Sequence, residues 1–393
     1  MREVVIVSAV RTPGGKAKKG SFYDVRPEFL GKLCMEEAVK RANIEAYEID
    51  DVVWGCATPE QATGMNTARM TAMYAGIPET VPGVTINRFC SSGLQAIAFG
   101  AESIISGRCD VVLSGGVEYM SMGGMGGVLR PNPDIISTPG IADLYIGMGR
   151  TAENIAMRYS VSREDQDAFA VSSHQKAVAA ITAGRFNDEI VPVPVKKTVL
   201  DAKGTRVTTE SVVREDEGVR TDASVAGLAK LPATFSVKGS VTAGNSSQMT
   251  DGAAAVILME AGKAAKAGLK PLGKFLGYAV VGCKPDEMGV GPVYAIPKVL
   301  KQVGLSLHDI GLIELNEAFA SQALYCMRKL DINQDIVNVN GGAIAIGHPM
   351  GATGAKLTAT LLNEMRRRSV KYGMVTMCIG GGQGAAGIYE LCE

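Results

Sequence analysis

The sequence has no net charge: 40 acidic residues stand against 40 basic ones. That balance gives no general affinity for nucleic acid or an anionic membrane, but leaves room for a local basic pocket around a phosphorylated ligand. No uninterrupted apolar run approaches the roughly 18 residues of a spanning helix, and the opening MREVVIVSAV lacks the form of a signal peptide. The final LCE is not a peroxisomal address of the Ser-Lys-Leu type. Eight cysteines are scattered, with no CxxC pair and no histidine at zinc spacing, so neither a metal site nor a disulfide framework is expected. These absences predict a reduced, cytoplasmic protein. Histidine is scarce, with three copies, so the search for a catalytic base is short.

What is present points to a compact fold. Hydrophobic residues make up 46% and charged residues 20%, with 47 glycines for tight turns. A length of 393 residues exceeds one ordinary core, so two or three domains are expected. Short β-branched runs at 4–10, 51–57, 81–87 and 110–116 alternate with helical stretches at 28–42, 66–75 and after Cys90. The runs do not alternate with polar residues, as in strands buried on both faces by helices, which is an α/β layout. The last third repeats the plan, with strands at 271–282, 310–315, 335–340, 372–378 and 385–391 and helices at 293–303, 317–330 and 351–368. TINRFCSSGLQAIAFGAESI…CDVVLSGG runs parallel to NVNGGAIAIGHPMGATGAKLTATLL…YGMVTMCIGGG. Each reads strand, Asn, small-residue turn, reactive side chain, helix, strand and glycines, so a duplicated half-domain is expected.

Residues 120–249 differ. MSMGGMGGVLRPNPDIISTPG is rich in Met, Gly and Pro; a helix follows, with Ser162 and Asp165 as a capping box and Gly184 as its stop. VKKTVLDAKGTRVTTESVVREDEGVR is polar and hairpin-like. An insertion of this size reads as a lid or binding subdomain.

Most free cysteines are inert, buried and small, and Cys34, Cys56, Cys109, Cys283, Cys326 and Cys392 fit that description. Cys90 stands at a strand-to-helix turn, where unpaired N–H groups and the helix dipole favour a thiolate and lower the thiol pKa. Ser91, Ser92 and Gly93 behind it would let the backbone approach a ligand closely. His174 and His308 read as surface residues. His348 lies in GGAIAIGHPMGATGA at the place Cys90 holds in the first half, with Pro349 at a helix start. Cys378 ends a strand and runs into IGGGQG, whose N–H groups suit an oxyanion; a phosphate loop is the alternative, but neither GxGxxG nor the Walker spacing is present. Asn316 in ELNEAFA faces a site or caps the next helix. Two cysteines, a histidine and an asparagine at strand ends of two halves suggest acyl transfer through a thioester, with a second thiol moving protons.

NRFCSSGLQA, NEAFA, GGAIAIGHPMGATGA and CIGGGQGAAGIYE, with VVIVSAVRTPGGKAKKG and TAGNSSQMTDGAAAVI, resemble the signature segments of the thiolase family along essentially the whole chain. The resemblance implies duplicated α/β halves in a five-layered α-β-α-β-α arrangement with an inserted loop domain. The first half would take 1–119 plus 250–270, the loop domain covering coenzyme A 120–249, and the second half 271–393. It implies a homodimer or homotetramer, with coenzyme A as substrate and no permanently bound cofactor or metal. Cys90 would be the nucleophile, Cys378 the acid/base at the α-carbon, and His348 the activator of Cys90. His348 would also polarise a thioester oxygen with a water held by Asn316. The Cys90 and Gly380 amides would form a second oxyanion hole. Arg220, Ala243, Ser247, Ala318 and Phe319 match coenzyme A contacts, and Met148 and Met288 the acyl and pantetheine pocket.

CSSGLQ and GGVEYMSM look more like degradative 3-ketoacyl-CoA thiolases than short-chain acetoacetyl-CoA enzymes. Gly147 stands where the short-chain group has a histidine, and Gly227 where it has a coenzyme-contacting serine, which leaves space for longer acyl chains. The alternatives are a short-chain acetyl-CoA acetyltransferase and, more remotely, a non-catalytic lipid-binding relative. A condensing enzyme of fatty-acid synthesis would lack the second cysteine. Oxidation of Cys90 as a redox sensor is compatible with catalysis.

Overall fold

The computed structural model describes residues 2–123, 130–200 and 204–392. The first part runs β1 (Val4–Arg11), β2 (Gly15–Lys16), α1 (Pro27–Ala42), β3 (Asp51–Gly55), α2 (Thr67–Tyr74), β4 (Gly83–Ile86), α3 (Ser92–Ile105) and β5 (Val111–Glu118). A middle stretch follows with α4 (Met120–Gly123), α5 (Pro133–Ser137), α6 (Met148–Arg158), α7 (Arg163–Thr182), the hairpin β6 (Val193–Leu200) and β7 (Arg206–Val213), and α8 (Val225–Leu228). The chain returns through β8 (Thr250–Glu260) and α9 (Ala261–Lys266). The last part is β9 (Gly273–Gly282), α10 (Gly291–Val303), β10 (Leu312–Leu315), α11 (Ala320–Leu330), α12 (Ala343–Ile346), α13 (Met350–Arg368), β11 (Tyr372–Ile379) and β12 (Gln383–Leu391).

Strand pairing shows the duplication. One half-sheet is ordered β1-β8-β5-β3-β4 and the other β9-β12-β11-β10. In each, a parallel pair (β3 with β5, β10 with β11) adjoins antiparallel partners. The halves join edge to edge where β1 meets β9 through Val5–Lys274 and Ile6–Gly273.

Side chains alternate along each strand between two cores. Ala254, Val256 and Leu258 of β8 enter a central core with α3 and α13, while Ala253, Ala255, Ile257 and Met259 face α1 and α2. A bulge between Ile6 and Ser8 of β1 explains why Val4 and Ile6 share the central core with Ala9 rather than with Ser8. The central core also takes Val375, Met377 and Ile379 of β11, and a third core packs the far face of that half-sheet against α10 and α11. The layers are therefore helices, sheet, α3 with α13, sheet, helices.

Helix ends follow capping chemistry. Pro27 opens α1 and Asn43 closes it in the left-handed region; Ser162 accepts from the Asp165 N–H at 3.1 Å, and Gly184 follows α7 with φ +66°. The Asp165 carboxylate completes no box and instead takes Arg328 at 2.7 Å. The strand expected at 335–340 is a 3-10 turn (Gln334–Ile336) and one bridge from Val337 to Ile313. Asn338 is the reason: its side chain bonds both the Leu315 N–H and the Leu315 carbonyl, replacing main-chain pairing, while its own φ is +44°. Parts of the expected loop segment, 124–129 and 201–203, lie outside the described residues. Among the described residues no helix is long and apolar enough to cross a membrane.

Candidate active site

Cys90 lies in a one-turn helix, Phe89–Ser91, that runs directly into α3. The turn is tight enough to put Phe89 at φ +43°, an unfavourable conformation for an aromatic residue. Hydrogen bonds hold it: Asn87 Oδ1 accepts from Phe89 N–H at 2.8 Å, and Ser92 Oγ accepts from Arg88 N–H at 2.9 Å and donates to the Phe89 carbonyl at 2.7 Å. Ser92 is thus a turn brace. Gly93 does not serve approach to a ligand, as its sequence context suggested; a Cβ there would lie 3.0 Å from Ala355 N and Gly351 O of α13. The glycine lets two helices cross, and those helices start beside Cys90 and His348.

Cys378 is buried at the end of β11, and the β11–β12 turn is Gly380–Gly382, with Gly381 and Gly382 at positive φ. The Gly380 N–H bears on the Cys90 thiol, lowering it, and a charge on Cys90 would raise Cys378, so the Cys90 turn lies against the loop that follows Cys378. Cys378 packs with Met288, Ala318 and Phe319, with Met148 and Phe235 at the edge. A Cβ on Gly380 would lie 3.4 Å from Met148 Sδ and 3.8 Å from the Phe89 ring.

His348 is buried between α12 and α13. Gly347 before it has φ +83°, and a Cβ there would meet Thr250 Oγ1 at 2.5 Å. That contact is used: Thr250 Oγ1 accepts from His348 N–H at 3.0 Å. His348 Nδ1 lies 2.7 Å from Thr353 Oγ1, and Nε2 lies 3.3 Å from Asn316 Nδ2. Asn316 follows β10, donating its N–H to the Thr376 carbonyl of β11 at 2.9 Å. It caps no helix, since α11 begins after Phe319, and its buried Oδ1 has no partner in the protein. With the amide so oriented, Nε2 carries the lone pair and Nδ1–H donates to Thr353.

The electrostatics correct one expectation. Burial pushes the Cys90 thiol up to about 11, with the Gly380 and Cys90 amides only partly opposing it. The helix dipole does not overcome desolvation, so the resting group is a thiol. Burial also drives His348 down to about 3, helped by Lys356, and holds Cys378 well above the ordinary thiol range, with Cys90 adding to it. That ordering favours a neutral thiol beside a neutral imidazole at rest.

The remaining sequence-expected residues spread outward. Ser247 donates its N–H to the Ala318 carbonyl at 3.0 Å, while Arg220 and Ala243 are exposed, as are Gly147 and Gly227. His308 is exposed as expected, but His174 is not. It is buried, accepts from Arg220 N–H at 3.2 Å, and is pushed down to about 4, chiefly by burial. Its polar flanks gave no sign of this, because the segment that covers it lies 46 residues along the chain.

Glu118 went unread in GGVEYMS. Its buried carboxylate accepts from Ala57 N–H at 2.9 Å and Gly351 N–H at 2.8 Å, so it ties the start of α13 to the β3 end beside Cys90. A lone acid at the end of an apolar strand was its available signal. Thr250 and Thr353 had none.

Family models match most of the chain. Residues 4–262 match the model described as "Thiolase, N-terminal domain", and 269–391 match "Thiolase, C-terminal domain". The 3-ketoacyl-CoA thiolase of Bacillus subtilis (strain 168) is 55% identical over 393 residues, covering 100% of both chains. The peroxisomal 3-ketoacyl-CoA thiolase A of Mus musculus is 47% identical over 389 residues, 99% of this chain and 91% of that one. Two solved structures share the fold at a TM-score of 0.88. The Bacillus anthracis acetyl-CoA acetyltransferase is 40% identical and covers 100% of this chain and 99% of its own. Human mitochondrial 3-ketoacyl-CoA thiolase in complex with CoA is 38% identical, covering 99% and 98%.

Proposed function

The chain belongs to the thiolase family, and from that premise we propose that it cleaves 3-ketoacyl-CoA with coenzyme A, giving acetyl-CoA and a shortened acyl-CoA. The observation that carries the site assignment is buried His348, its Nε2 3.3 Å from Asn316 Nδ2 with the buried Asn316 Oδ1 left unpartnered, together with Gly380, two residues after Cys378, set beside the Phe89 ring of the Cys90 turn. Cys90 is the nucleophile. As its sulfur bonds to the 3-keto carbon, its proton passes to His348 Nε2, because neither group is charged beforehand. The Gly380 and Cys90 amides hold the oxyanion that forms. Collapse breaks the C2–C3 bond, and Cys378, kept protonated by burial, delivers its proton to C2 as acetyl-CoA leaves. The Cys378 thiolate then takes the proton of incoming coenzyme A, whose sulfur attacks the acyl-Cys90 thioester; the C–S bond to Cys90 breaks, and the Cys90 sulfur takes back its proton from His348. Reversal is a Claisen condensation. Asn316, with its unpartnered buried Oδ1 beside His348, holds the water that serves the other thioester oxygen.

Arg220, Ala243 and Ser247 are assigned to coenzyme A, with Ala318, Phe319, Met148 and Met288 lining the pantetheine and acyl path beside Cys378. The division into 1–119 with 250–270, a coenzyme-covering 120–249, and 271–393 belongs to the same proposal. So does a cytoplasmic homodimer or homotetramer, which light scattering would decide. A short-chain reading has one observation in its favour, the 40% identity to an acetyl-CoA acetyltransferase. Intact-protein mass spectrometry after brief exposure to 3-ketoacyl-CoA of four to twelve carbons separates the two. We expect an acyl adduct from the ten- and twelve-carbon substrates, lost in Cys90→Ala. Loading by acetoacetyl-CoA alone selects the short-chain enzyme. Cys378→Ala should still load acyl groups but fail to exchange the α-protons of acetyl-CoA; normal exchange would refute its role.

A further inference from the structure

Behind His348 lies a buried charge cluster that the mechanism leaves unused. Lys356, the seventh residue of α13 and eight residues after His348, is fully buried and points back toward the helix start. Its ammonium donates to the Ile346 carbonyl and, at 3.0 Å, to the Gly347 carbonyl, the two peptide oxygens just before His348. Asp216 Oδ1 stands 3.9 Å away and accepts from Arg11 Nη1 at 2.8 Å and Gly14 N–H at 2.7 Å. Arg11 Nε donates to Glu189 at 2.6 Å, which also takes Thr360 Oγ1 at 2.8 Å.

We propose that Lys356 is a positioning residue for His348, its ammonium clamping the Ile346 and Gly347 carbonyls so that the imidazole stays aligned on Asn316. The proposal rests on the reading of His348 as the base. Thr250 holds the N–H side of the Gly347–His348 peptide and Thr353 the ring, but the carbonyl side of that peptide, after the left-handed Gly347, has to be held by another group. Lys356 holds it. A buried lysine spent on two carbonyls, when a carboxylate lies at hand, is a costly arrangement unless those carbonyls must not move. Its charge has a second effect on the same ring. The groups facing Lys356 are Asp216, Arg11 of β1, Glu189 and Glu314 of β10, and burial brings the ammonium itself down to about 8. The charge acting on the imidazole is that of Lys356, and it adds to burial in keeping the ring neutral.

The test measures thiolysis of a 3-ketoacyl-CoA from pH 3 to 9, in brief assays at the acid end, for Lys356→Met, Lys356→Gln and Lys356→Arg, with His348→Asn alongside. Lys356→Met should lower kcat about 100-fold, as misplacement of a reacting group does, with KM for coenzyme A within about twofold. Loss of the positive charge raises the His348 pKa, so the acid limb of kcat should move to higher pH. Lys356→Arg should restore both. Lys356→Gln keeps a donor for a carbonyl but not the charge, so it should recover part of kcat while retaining the moved limb. If Lys356→Met does not fold, the Gln and Arg variants carry the test, and identical pH profiles for them would overturn the proposal. Wild-type kcat and acid limb in Lys356→Met, with His348→Asn inactive, overturns the proposal and leaves the base assignment standing. Full activity of His348→Asn overturns the base assignment itself.

Discussion

Cys90, His348 and Cys378 could be read from the sequence because each breaks a local pattern: a polar or reactive group, set among glycines and serines, interrupts an apolar run at a strand end. Their protonation states could not be read, because desolvation is a property of what covers a residue in space. Cys90 shows the difference. At the mouth of a helix it was expected to be a thiolate, yet burial outweighs the amides of Gly380 and Cys90 and leaves the thiol at about 11. The thiolate fraction below that value should therefore grow about tenfold per pH unit. In resting enzyme without substrate, carboxamidomethylation of Cys90 by iodoacetamide, followed by peptide mass spectrometry, should keep rising between pH 7 and 10. A plateau near pH 7 or 8 would mean that a stable ion pair exists and that proton transfer precedes substrate binding. His174 makes the same point from the other side. Ser173 and Gln175 made it look solvated, but the 215–222 segment buries it and holds it neutral.

Elements were more legible than protonation because apolar runs report burial on both faces, and β1, β5, β8 and β11 each feed two cores. The exception, 335–340, failed because Asn338 does with its side chain what a strand does with its backbone. The duplicated helices α3 and α13 were visible as small-residue stretches, but the purpose of those residues was not. A Cβ on Gly354 would lie 2.1 Å from Leu94 N, and one on Gly93 3.0 Å from Ala355 N, so the backbones touch where the two halves cross. Gly354→Ala should cost about 3 kcal/mol, at the upper end for overpacking, since backbone atoms cannot yield as a side chain can. Because α3 begins just after Cys90 and α13 just after His348, kcat should fall in protein that remains folded. Gly282→Ala is the control: its Cβ meets only Gly382 O at 4.0 Å, and its stability should stay within about 0.5 kcal/mol. Urea denaturation reads both, and an equal effect would remove the case for a packing-critical crossing.

At the scale of the molecule, the joint between the half-sheets is small, two residue pairs of β1 and β9, so other contacts must fix how the parts sit. Arg11 is placed to do so. It lies at the end of β1, reaches Glu189 and Asp216 in the stretch between α7 and β8, and through them meets Thr360 and Lys356 of α13. All these side chains are buried. The Arg11 and Lys356 charges hold Asp216 below the ordinary carboxylate range despite burial, whereas Glu189 is raised, with burial the larger influence. Removing the guanidinium leaves Asp216 with Lys356 at 3.9 Å and the Gly14 N–H, and Glu189 with a hydroxyl. Arg11→Met should therefore destabilise by about 3–5 kcal/mol, the cost of breaking a buried ion pair from one side. Arg328→Ala, which removes the half-exposed pair with Asp165, should stay within about 1 kcal/mol. Proteolysis under native conditions adds the spatial test. If Arg11 fastens the middle stretch to both halves, Arg11→Met should be cut first between 185 and 220, while the two halves survive as large fragments. Uniform digestion with no early cut there would show that the cluster stabilises the protein as a whole without being the joint between its parts.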